Sequence, residues 1–226
     1  MSDHSEGAGL TRQAIRTPRA AALAGIAFSV LLAASFVLVR WALPSDPDAA
    51  GEWLTDGGRR DAFVVALNLL PFAGIAFLWF IAVLRDRIGA HEDRFFATVF
   101  LGSGLLFVAM LFTCGAVAGG LVLSSGEGSD QPPAELWTFG RQVTLTLQGV
   151  YAMRMAAVFT ISATTIAARL GLAPRWLSVS GMATGVLLLL TAGAVPWIEI
   201  LFPLWVFAFS AHILIATYNP PPSSDP

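Results

Sequence analysis

Residues 147–160, LQGVYAMRMAAVFT, place one permanent charge, Arg154, inside an otherwise apolar run. A guanidinium carries five N–H donors and no acceptor. The chemistry open to it is capture of a negatively charged or carbonyl-bearing group. Counted from the start of its run at Val143, Arg154 lies about eleven residues in, or ~16 Å along a helix. That is close to the centre of a bilayer, where an arginine costs roughly 2.5–3.5 kcal/mol on insertion scales. Snorkelling does not easily reach water from that depth. The sequence therefore predicts that Arg154 faces the interior of a helical bundle or a wet, outward-opening cavity.

The surrounding helix points the same way. At 100° per residue, Arg141, Thr144, Gln148, Tyr151, Met155, Ser162 and Thr165 share one broad side, with Arg154 at its edge. The opposite side is rich in Val, Ala, Leu and Ile. Such a stripe reads either as an inter-helix hydrogen-bond seam or as the lining of a hydrated path. No Asp or Glu lies deep in any apolar run. Candidate partners for Arg154 are Glu199 (which would need a kinked geometry to reach it), Asn68, backbone carbonyls freed by Pro71 or Pro203, and an anionic ligand. Asn68 precedes Pro71 by three residues, so its amide is expected to serve the carbonyl that the proline leaves unpaired.

His212 is the one histidine expected within a span. It reads as a neutral histidine bonded to a neighbour, or as a proton relay. A membrane haem held by two axial histidines lacks its pair, and no His/Cys/carboxylate cluster has metal-ligand spacing. No cofactor is expected. The segments FLGSGLLF around Ser103 and SAHILIA around His212 resemble in part the serine and histidine motifs of intramembrane rhomboid proteases. However, Leu101 occupies the first glycine position, and the glycines after the histidine are missing. DPDAAGEWLTDG, from Asp46, only faintly resembles a calcium loop: Ala50 replaces an oxygen ligand, and Gly57 replaces the closing glutamate. No P-loop or dinucleotide fingerprint occurs. No catalytic residue is assigned.

These residues must be positioned by elements suited to oil. The chain has 226 residues, 56% of them hydrophobic and 12% charged, with a mean hydropathy of +0.70. An ordinary soluble domain is about 25% charged. The net charge of −2 leaves no basic surface for a nucleic-acid partner. The single cysteine, Cys114, allows no intrachain disulfide.

The apolar residues cluster into six runs near the ~20 residues that cross a bilayer: 20–39, 62–84, 95–123, 143–168, 177–195 and 198–218. The predicted fold is an all-α integral membrane bundle of about six transmembrane helices. Residues 1–19 form an N-terminal tail, 20–218 the membrane domain, and 219–226 a tail too rich in proline to pack. The last two runs are split only by AVPWIE. AELWTF is expected to start an interfacial helix carrying Trp137 along the membrane surface. Trp41, Trp176 and Trp197 fall near expected interfaces. The two longer connections on one face, around residues 44–61 and 124–141, are Gly-, Pro- and acid-rich and read as surface segments.

Arginine placement sets the expected orientation. Arg12, Arg16, Arg19, Arg85, Arg87, Arg94, Arg169 and Arg175 fall on one face, and the positive-inside rule makes that face cytoplasmic, along with both termini. Small residues at four-residue spacing mark close helix contacts: Ala21, Gly25, Ser29 and Ala33; Gly115 and Gly119; Gly181 and Gly185. They serve either contacts within the bundle or a homodimer face.

The segment ARLGLAPRWLSVSGMATGVLLLL resembles a group of small bacterial polytopic membrane proteins of unknown function. Those carry an LPRWLG-type turn before their next-to-last span. Pro174, Arg175 and Trp176 match, and Ser178 stands where glycine is usual. The resemblance implies a multi-pass protein of the bacterial cytoplasmic (inner) membrane and supplies no activity. The expected function is a non-catalytic bundle that binds a ligand or a partner, whether another membrane protein or a second copy. The alternative is a small-solute or ion permease using the polar face of the fourth span around Arg154.

Overall fold

A computed structural model of the chain describes residues 3–42, 57–88, 94–124 and 134–218, with side chains from residue 19 onward except at a few segment ends. Helix α1 is Asp3–Ala42, α2 Gly57–Ile88, and α3 Arg94–Ser124. Helix α4 is continuous through Ala134–Thr146, a π-helical stretch Leu147–Ala152, and Met153–Arg169. Helix α5 is Arg175–Thr191, and a short 3₁₀ turn, Ile198–Ile200, leads into α6, Leu201–Tyr218. Five of these helices are long and apolar enough to cross a membrane; α5 is apolar but has 17 residues. The protein is therefore an all-α bundle of membrane-spanning type. Helices suit this role because a bilayer offers no water to backbone N–H and C=O groups, so each segment must satisfy its own.

The expected surface segments, the calcium-like loop and the 219–226 tail lie wholly or mainly outside the described residues. Their flanks that are described are helical. Residues 57–61 already belong to α2 and 134–141 to α4. AELWTF thus continues a span instead of lying along the surface. Trp137 is buried in a cluster with Val39, Phe63, Ala118 and Leu121, because α4 begins well before its most apolar stretch.

Each helix packs on its neighbours in sequence, and α6 closes the ring by packing on α1. The centre is filled by phenylalanines. The Phe77 ring of α2 lies 4.4 Å from Phe28 of α1, 5.2 Å from Phe107 of α3 and 4.9 Å from Phe159 of α4. Phe202 of α6 caps the cluster at 5.1 Å from Phe107. All five side chains are fully buried. Most pairs sit edge to face, the arrangement that brings a positive ring edge to a negative face.

Small residues let the helices approach closely. A Cβ added at Gly25 would overlap Ser210 of α6, and one at Gly185 would meet Ile161 of α4. At Gly181 it would overlap Thr164 of α4 and Trp205 of α6 at once. Gly181 and Gly185 therefore serve contacts within the bundle. Gly181→Leu is expected to cost about 3 kcal/mol, at the upper end for overpacking, because three helices would have to part. Cys114 is buried and is the chain's only cysteine. A thiol-reactive dye in a thermal ramp therefore reads the loss of fold directly.

Pro71 lies inside α2, as expected. Pro203 differs: it is the third residue of α6. A missing N–H in the first turn removes no intrahelical bond, so it starts the helix rather than bending it.

Aromatic caps fasten both ends of the ring. Arg19 lies 4.7 Å over the Tyr218 ring, joining α1 to α6, and Arg169 lies 4.5 Å over Phe96, joining α4 to α3. At the opposite end Arg40 lies 5.1 Å over Trp197. These ends are called the Arg19 end and the Arg40 end below.

Candidate functional site

At the Arg40 end the final turn of α1, the upper part of α4 and the turn between α5 and α6 leave a cavity of about 530 Å³. Its polar lining is Arg40, Arg141, Gln148 and Glu199, and Val39, Leu145 and Pro196 supply apolar wall. Arg40 donates to a single oxygen of Glu199, from Nη2 at 2.7 Å and from Nε at 3.1 Å. The pair is unequally sheltered, with side-chain exposures of 35% for Arg40 and 10% for Glu199. The charged side chains of the lining are thus Arg40, Arg141 and Glu199, with Glu199 bonded to Arg40.

Two backbone irregularities shape this site. Helix α4 turns π-helical over Leu147–Ala152, directly along the cavity wall. Such single π turns inside α-helices occur frequently at functional sites. Gly193 adopts φ +82 with its Cα against Val150 of the π stretch, so a side chain there would be both strained and blocked. Trp197 adopts φ 67, a left-handed conformation that costs a non-glycine residue about 1–3 kcal/mol. Its ring under Arg40 helps to offset that cost, and the turn holds Glu199 beneath Arg40.

The buried amide of Gln148 sits beside α3. Cys114 donates weakly to the Thr144 carbonyl at 3.5 Å and approaches Gln148 Oε1 at 3.9 Å. Elsewhere the hydroxyls of α4 mostly turn back on their own helix. Thr144, Thr160 and Thr165 donate to carbonyls four residues earlier at 2.7–2.8 Å. They form neither a seam between helices nor a hydrated path.

The expected polar site does not assemble as one unit. Glu199 and Gln148 line the cavity. Arg154 does not: it is exposed on the outer surface of the bundle, and no described residue bonds to it. The reason is the π turn, which inserts extra backbone into the helix. Residues beyond it are rotated by about one helical position relative to an unbroken α-helix. The buried face consequently passes to Met153, Ala156, Ala157, Phe159 and Thr160, and Arg154 swings outward. Tyr151 is likewise exposed. Glu199 pairs with Arg40 and not with Arg154. Asn68 is exposed and donates to the Val64 carbonyl at 2.8 Å, one turn away from the carbonyl that Pro71 frees. His212 is half-buried in α6, away from this cavity. Ser103 donates to Val99 and Phe100 of its own helix.

Sequence reasoning did not foresee Arg40 as a site residue. The available signal was that Arg40 and Glu199 both border spans on the same expected face. No family model, curated protein or solved structure matches this chain.

Proposed function

We propose that this protein is a non-catalytic ligand-binding bundle of the bacterial cytoplasmic membrane that takes a small anion at the Arg40 end. The observation that carries this reading is the cavity lined by the guanidinium groups of both Arg40 and Arg141. The partly apolar wall and the adjoining amide of Gln148 favour an organic carboxylate over a bare inorganic ion. With both termini cytoplasmic, as the arginine distribution favours, the site opens away from the cytoplasm.

The permease alternative has less support. Its motivating residue, Arg154, lies outside the ring, and packed phenyl rings occupy the axis where a path would run.

The test is a thermal ramp of the protein in neutral-lipid nanodiscs, read with the Cys114 dye, against phosphate, sulfate, acetate, succinate and citrate. At least one carboxylate is expected to raise the melting temperature in a saturable way. Arg141→Gln is expected to weaken that ligand by roughly 10- to 100-fold, the value of a charge-assisted hydrogen bond of about 1.5–3 kcal/mol. A flat response to all five anions, or a response that Arg141→Gln leaves intact, would discard the reading.

A further inference from the structure

Arg154 is exposed near the middle of the longest apolar span of the bundle, Glu135–Arg169. Thirteen residues separate it from Arg141 and fifteen from Arg169, which correspond to ~20 Å and ~22 Å at 1.5 Å per residue. The charge therefore sits at mid-depth on a face turned away from its own bundle. Tyr151, one turn earlier, is exposed on the same face.

Three kinds of neighbour can answer a guanidinium placed there. A lipid phosphate lies at the edge of a hydrocarbon layer whose half-thickness is ~15 Å, farther than an arginine stem extends. A second copy of this chain offers no acid at that depth. Its carboxylates lie in tails, connections and span ends, and Glu199 is already bonded to Arg40. A two-fold dimer through this face would also bring two Arg154 side chains together, and like charges repel. The remaining neighbour is a helix from a different protein with a carboxylate at its centre.

We propose that the outer face of α4 around Arg154 docks a transmembrane helix of another membrane protein that carries Asp or Glu at mid-bilayer depth. The acid and Arg154 neutralise one another where neither is tolerated alone. The exposed phenol of Tyr151 lies a turn away, within reach of the same helix face. Because Arg154 is exposed on its own bundle, its removal is expected to leave the fold intact. This surface is separate from the anion cavity, and neither proposal depends on the other.

The experiment uses labelled poly-leucine transmembrane peptides with a single central Asp, Lys or Leu. Each is reconstituted with the labelled full chain in phosphatidylcholine vesicles at pH 8 and followed by energy transfer. The Asp peptide is expected to associate at least tenfold more tightly than the Leu peptide. Arg154→Leu abolishes the difference, and Arg154→Asp transfers the preference to the Lys peptide. The Cys114 dye confirms that each variant is folded, and Arg154→Gln replaces Arg154→Leu if the latter is not. Equal association of the Asp and Leu peptides overturns the proposal, as does Asp-peptide binding that survives loss of Arg154. Self-association lost in Arg154→Leu would assign the face to a second copy. Arg154-dependent retention of added phosphatidylglycerol would assign it to lipid. Either result overturns the proposal.

Discussion

Phe77→Ala is expected to lower stability by about 3–5 kcal/mol, the range for deleting a buried aromatic ring. Phe77 is fully buried and touches rings from four other helices: Phe28, Phe107, Phe159 and Phe202. It also stacks near Phe80 of its own helix. Its removal leaves a void at the axis that no single neighbour fills, because the surrounding rings are held by different backbones. The Cys114 dye should report melting lower by roughly 10 °C, taking about 2–4 °C per kcal/mol for a chain of this size. The void should also stay dry, since apolar cavities of this kind exclude water. Solute flux through vesicles containing Phe77→Ala is therefore expected to remain at the level of empty vesicles. A variant that melts like the parent would show that the ring cluster is not the core that joins the helices. A variant that conducts would revive the permease reading.

Glu199→Gln is expected to strengthen anion binding about tenfold, or ~1.4 kcal/mol. In the parent, the carboxylate accepts hydrogen bonds from Nε and Nη2 of Arg40 and repels any anion entering beside it. The amide keeps the shape and an acceptor oxygen but removes the competing charge. An incoming carboxylate then meets Arg40 without the competing charge of Glu199. The stability cost is expected to be near 1 kcal/mol. The glutamate is sheltered, but its partner is about a third exposed, which limits what the pair contributes. Titration with the strongest anion from the nanodisc panel measures both effects. Weaker binding in Glu199→Gln would mean that the carboxylate positions Arg40 for the ligand instead of competing with it, and the charge argument for the cavity would fail.

Some of this was legible before any coordinates. The six apolar runs became six helices; the first four extend beyond the hydropathy boundaries into polar flanks, whereas the turn before residue 201 shortens the facing ends of the last two. Gly181 and Gly185 were marked by spacing alone, although only packing showed that they meet α4 and α6. Arg141, Gln148 and Glu199 were singled out by type, yet their shared cavity was not visible. It depends on a turn of six residues with two left-handed positions, Gly193 and Trp197. Arg154 faces outward, although the cost of a mid-bilayer guanidinium and a phase of 100° per residue along α4 both predict an inward face. One π-helical stretch breaks that phase, and LQGVYA bears no local mark of it.

Composition and run length, by themselves, determined that this chain crosses a membrane as helices. Hydropathy is additive along the chain, and a bilayer admits few other solutions for exposed backbone. Tertiary structure alone decided which charges meet. Side-chain direction depends on the cumulative rotation of each helix and on turns whose geometry no residue pattern encodes. Arg40 therefore found Glu199 across 159 positions, while Arg154, a few turns below the same cavity, was left facing outward.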